Sequence, residues 1–189
     1  MAECHSTGST ARIEARFRET LDAPWTHLTP LRLGEPPTGL GTPDSFVTVE
    51  EDGTPRLRVD LYAGGETFAF QEARVWHRWV VIGSGHRVYL VSQSGEPAVT
   101  VELGGYFAGL YPDESCLLVA SAARLFRLSE EGEILWVSEE LGIDGVVVER
   151  VEAGLISGQG EWDPPGGWRP FRVCLQTGSA SEANGCGPS

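Results

Sequence analysis

From Phe46 onward, apolar and polar positions alternate with a period of two in short runs rich in valine, leucine and aromatics, and glycine-bearing turns separate the runs. That is the pattern of half-buried strands, so an all-β chain is expected over 46–178. Upstream the spacing changes. Ile13, Phe17 and Leu21 recur every fourth residue and Thr10 stands where an N-cap would, which predicts one short helix over 11–22, ended by Pro24. Arg12, Glu14, Arg16, Arg18 and Glu19 would form its solvated side. Residues 30–43, with Pro36 and Pro37 adjacent and three glycines, read as an irregular connector.

The strand region repeats itself. Residues 80–92 align without gaps on residues 117–129, an offset of 37, and the match continues through Gly95-Glu96 on Gly132-Glu133 and Glu102 on Glu139. Both copies are expected to form the same antiparallel hairpin, closed by Gly83-Ser84-Gly85 in one and Ala120-Ser121-Ala122 in the other. Weaker copies of the strand-then-glycine-turn piece end at Gly53 and Gly178, which spaces the turn glycines 53, 95, 132 and 178 by 42, 37 and 46 residues. A period near 40 with three or four strands suits propeller blades or stacked meanders. Leu125-Phe126-Arg127-Leu128, the turn Ser129-Glu130-Glu131-Gly132, and Glu133-Ile134-Leu135-Trp136 after it are similar to blades of quinoprotein-type β-propellers. The resemblance implies a small or partial propeller of repeated antiparallel meanders; a β-sandwich is the alternative. No residue here matches those that would hold a quinone, so no cofactor is expected. The domain reading is a single β-repeat domain over 11–178 between disordered flanks at 1–10 and 179–189.

The formal net charge of −13 disfavours phosphate polymers and anionic membranes and fits a basic protein partner better. All cationic side chains apart from histidine are arginines, and without lysine there is no Walker loop, no Schiff base and no kinase-type strand lysine. Cys4, Cys116, Cys174 and Cys186 are scattered, and residues 1–10 are polar and carry Glu3, so the cysteines are expected to be reduced thiols of a cytoplasmic chain. No metal is expected: with a turn at Ser84-Gly85, His77 and His86 lie roughly 20 Å apart along a strand.

The third unit departs from the repeat. Gly154-Leu155-Ile156-Ser157 begins like the strand at Val80, but residues 158–170 replace the short turn with a stretch holding two tryptophans, two carboxylates and an arginine. Glu161, Trp162, Asp163, Trp168 and Arg169 are therefore the candidate partner-binding residues, because insertions at repeat turns often lie on the binding face and rigid aromatics beside arginine suit protein interfaces. The competing expectation is that the tryptophans clamp the loop to the sheet while Glu161 or Asp163 pairs with Arg169. Trp76, Trp79 and Trp136 fall in strand patterns and are expected to pack within or between units. The absence of a catalytic set favours a non-catalytic binding module, such as an inhibitor or immunity-type antagonist of a basic protein. Two alternatives stay open: a carbohydrate-binding or glycoside-hydrolysing protein using Glu161 and Asp163 with tryptophan stacking, and a structural repeat domain of a larger assembly.

Overall fold

The computed structural model describes residues 12–36, 41–62 and 70–181. Over these the alternating runs form four sheets. The first holds β1 (Ile13–Arg18), β2 (Leu31–Gly34), β3 (Ser45–Glu51) and β4 (Thr54–Tyr62) in the order β1-β3-β4-β2. The second is a meander of β5 (Gln71–Trp76), β6 (Trp79–Ser84), β7 (Arg87–Ser92) and β8 (Pro97–Glu102). The third is the same meander built from β9 (Phe107–Pro112), β10 (Leu117–Ser121), β11 (Leu125–Leu128) and β12 (Ile134–Val137). The fourth has β13 (Val146–Glu152), β14 (Leu155–Glu161) and β15 (Trp168–Cys174). All pairs are antiparallel except β2 with β4.

The repeated hairpins share one register. Val80 faces Val91 and Ile82 faces Tyr89 in β6–β7, and the residues 37 further on, Leu117 with Leu128 and Val119 with Phe126, face each other in β10–β11. The turn glycines 53, 95, 132 and 178 all adopt positive φ, between 70° and 91°.

Continuous apolar runs appear where a strand is buried on both faces. In β6, Val80 and Ile82 enter a core shared with the first sheet, while Trp79 and Val81 enter one shared with the third. In β10, Leu117 and Val119 face the second sheet while Leu118 and Ala120 face the fourth. Each fully buried leucine, such as Leu90, Leu117 or Leu128, contributes about 2 kcal/mol. Tryptophans join neighbouring sheets, as expected: Trp76 Nε1 donates to Asp113 O, Trp79 Nε1 to Glu130 O and Trp136 Nε1 to Leu175 O, at 2.7–2.9 Å. The first strands β1, β5, β9 and β13 touch in series, but no comparable contact joins β13 to β1 among the described residues. Over the described residues the sheets therefore stack like propeller blades in a row, with no such contact closing it into a ring.

Several expectations are corrected. The helix over 11–22 is the strand β1, because Ala15 joins Ile13 and Phe17 against the core while Arg16 and Arg18 face away. Four-residue spacing lies on one face of a helix and on one face of a strand alike; only the residue at i+2 separates them. The sole helical turn among the described residues is the 3-10 turn Trp25–His27. The connector over 30–43 contains β2, which takes the outermost place in the first sheet. The copy ending at Gly53 is shifted by one strand, since Gly53 turns β3 into β4 whereas Gly95 turns β7 into β8. Cys116 is a buried free thiol, but Cys174 is disulfide-bonded, its partner lying outside the described residues. The disordered flank over 1–10, the capping Thr10 and residues 182–189 of the tail also lie outside them, whereas residues 179–181 run back along β15 through Cys174 N to Ser179 O and Ser181 N to Arg172 O.

Candidate functional site

The stretch over 158–170 is a long hairpin whose turn is short. β14 and β15 stay paired from Leu155 with Cys174 out to Glu161 with Trp168, leaving only residues 162–167 to turn. Gly158 and Gly160 are strand residues that admit a neighbour: a Cβ on Gly160 would stand 1.7 Å from the Leu141 carbonyl oxygen, so only glycine lets that loop lie on the strand. Trp162 N donates to Gly167 O and Gly167 N to Asp163 O, while Gly166 N donates to Glu161 Oε1 at 2.6 Å.

Strand alternation sends the five candidate residues to different sides. Ile156 and Val173 pair on the face packed against the third sheet, so Glu161 and Trp168, of the opposite parity, lie on the outward face. Trp168 is 41% exposed and its ring covers Gly145, where a Cβ would meet Cη2 at 3.1 Å. Trp162 is half-buried, with the Arg169 guanidinium 5.8 Å from its ring centroid, and Asp163 is exposed at the turn. Neither Glu161 nor Asp163 pairs with Arg169 among the described residues; the arginine is spent on the tryptophan face instead.

The fold brings three further residues beside this hairpin. Phe70, Tyr106 and Asp144 each stand one or two residues before the first strand of a sheet, so stacking the sheets aligns them at one end. Phe70 is half exposed and stacks on Tyr106 with centroids 6.0 Å apart and planes 19° from parallel. The Tyr106 hydroxyl donates to the Asp144 carbonyl oxygen and approaches Oδ1 at 3.2 Å. Burial, followed by the charges of Asp144 and Glu161, pushes the Tyr106 phenol up to about 12. Phe70, Tyr106, Asp144, Glu161 and Trp168 thus form an aromatic and acidic row, with Ile143 and Val147 exposed near it. Sequence reasoning missed the first three; the signal was their spacing of 36 and 38 residues, which follows the repeat.

No family model matches this chain. No curated protein matches it either. Solved structures do: it is similar to a protein of unknown function from Bacteroides caccae, at 14% identity and a TM-score of 0.48 over 72% of this chain and 61% of that one. It is also similar to BamB from Moraxella catarrhalis, at 11% identity and a TM-score of 0.46 over 69% of this chain and 40% of that one. The chain therefore spans about three fifths and two fifths of those proteins.

His77 and His86 occupy the turns at opposite ends of β6. Among the described residues no group of three or more histidine, cysteine or carboxylate side chains could hold a metal ion, and no helix is long and apolar enough to cross a membrane.

Proposed function

We propose that this chain is a non-catalytic binding module for a basic protein, engaged at the end of the stack where the β14–β15 hairpin meets the row from Phe70 to Glu161. The observation that carries the reading is Trp168, a rigid ring 41% exposed on a regular strand and bordered by Glu161, whose carboxylate has no cationic partner among the described residues. A ring held by strand geometry offers contact area with little ordering cost, and free carboxylates beside it favour a cation on the partner. The net charge of −13 would speed encounter with a basic protein. An inhibitor or immunity-type antagonist is one form such a module takes. The disulfide at Cys174 supports binding in an oxidising compartment over the cytoplasm, because such bonds persist where thiols are not kept reduced.

The test is capture followed by titration. A photoreactive amino acid in place of Ile143 should trap the partner in the native cell, and that partner should be basic. Against the purified partner, Trp168→Ala should weaken binding by about 30-fold, as for a hot-spot residue worth about 2 kcal/mol. Joint reversal of Glu161 and Asp163 to arginine should slow association, with the difference shrinking as salt is added. An acidic partner, or affinity and association rate unchanged in these variants, would move the functional surface elsewhere.

A further inference from the structure

A second surface stands apart from the hairpin, at the outer edge of the third sheet. β12 is the last strand there and, among the described residues, has a neighbour on one side only, β11. Ser138 N donates to Leu125 O and Ser129 N to Glu133 O, with a register shift at Leu135 between them, so the ladder turns the N–H and C=O groups of Ile134 and Val137 away from β11. The side chains match the free backbone: Ile134, Leu135 and Val137 are 48%, 50% and 43% exposed, and only Trp136 turns inward, to Leu175.

The other outer edges carry devices that discourage pairing. β8 begins with Pro97 and ends on Glu102, which pairs with Arg87. β2 exposes Arg32, and residues 179–181 lie along β15. β12 is as short as β2 and its pairing with β11 is bulged, but it has no proline and no charge within it. Carboxylates bracket it instead: Glu131 and Glu133 before, Glu139 after, all exposed and without an ion pair among the described residues.

We propose that β12 is a strand-addition site for an extended segment of another protein, with apolar side chains at alternate positions and arginine or lysine at both ends. The open N–H and C=O groups would supply the ladder, the exposed apolar face the side-chain contacts, and the flanking carboxylates the charge complement. The same carboxylates oppose a second copy, because antiparallel pairing of β12 with itself would bring Glu133 of each chain toward Glu139 of the other.

The test uses the intact protein and a labelled synthetic peptide, Lys-Arg-Val-Thr-Val-Thr-Val-Arg-Lys, followed by fluorescence anisotropy. Saturable binding is expected. Two further peptides carry backbone N-methyl groups on one or the other alternate set of residues; only the set facing β12 should lose affinity, by about tenfold or more, whereas plain charge attraction would spare both. Val137→Pro removes an outward N–H without touching the ladder to β11 and should weaken the parent peptide by about tenfold with the melting temperature unchanged. Leu135→Arg, which keeps the backbone intact, should do the same and serves if the proline variant does not fold. Trp168→Ala should bind the peptide like the wild type, which separates this surface from the hairpin. The proposal is overturned by no saturable binding at about 1 mM, by equal loss with both methylated peptides, or by wild-type binding in the β12 variants. Dimerisation of the free chain that Val137→Pro abolishes would also overturn it, since the occupant would then be a second copy.

Discussion

Trp162 and Trp168 lie at the base of the same turn and have different work. Trp162 is half-buried under the Arg169 guanidinium, whereas Trp168 presents its ring outward over Gly145. Trp162→Ala should therefore cost about 1–2 kcal/mol of stability through lost packing and the lost cation–π contact, and Trp168→Ala about 0.5 kcal/mol or less. Urea titrations of both variants check this, and equal losses would count against the division. Tyr106 offers a second test. Its phenol is raised from 10.0 to about 12, so the folded state holds the proton more tightly than the unfolded chain. The resulting stabilisation is complete below about pH 10 and disappears as pH rises from there toward 12. Asp144→Asn should bring this ionisation down, read as the difference between the ultraviolet titrations of that variant with and without Tyr106→Phe. Tyr89 and Tyr111, raised chiefly by burial, should not follow.

At the scale of elements, β1 and β14 show how contacts across sheets reinterpret local signals. β1 supplies Ile13, Ala15 and Phe17 to the core between the first two sheets, with Ala15 half-buried. Ala15→Asp should destabilise the protein by about 2 kcal/mol or more, because a carboxylate would lose water without gaining a partner, while Arg16→Ala on the outer face should stay within about 0.5 kcal/mol. A helix with Ile13, Phe17 and Leu21 inward would tolerate both changes alike, so denaturation of the pair distinguishes them. In β14, Gly160 sits against the Leu141 carbonyl. Gly160→Ala should cost about 2–3 kcal/mol by forcing the strand and loop apart, although alanine at a flexible loop position would be harmless. An unchanged denaturation midpoint would show that the neighbour yields freely.

At the scale of the whole molecule, the described sheets form a row. Each core lies between two successive sheets, and the largest joins the second and third, where Trp76, Trp79, Leu90, Phe107, Leu117 and Leu128 meet. Among the described residues the first and fourth sheets each share a core with one other sheet only. Stability in such a row comes from units and their interfaces, so opening should begin at the ends. Hydrogen exchange of the native protein is expected to show greatest protection in β6, β7, β10 and β11, with less in β1 and β13. Uniform protection across all four sheets would instead indicate a single cooperative unit.

What the sequence determined by itself is local. The two-residue period placed the strands, the four turn glycines marked left-handed turns, and the 37-residue offset predicted the shared register of β6–β7 and β10–β11. Hairpin partners lie close along the chain, so their pattern is written in adjacent residues. The tertiary structure decided what depends on a second sheet. It turned residues 13–18 into a strand, inserted β2 in parallel, and used Gly158 and Gly160 for close approach instead of a loop. It also set Phe70, Tyr106 and Asp144 side by side and left Trp168 outside. Period-two patterning says which residues share a face; what covers that face is settled only when residues some 37 positions apart pack together.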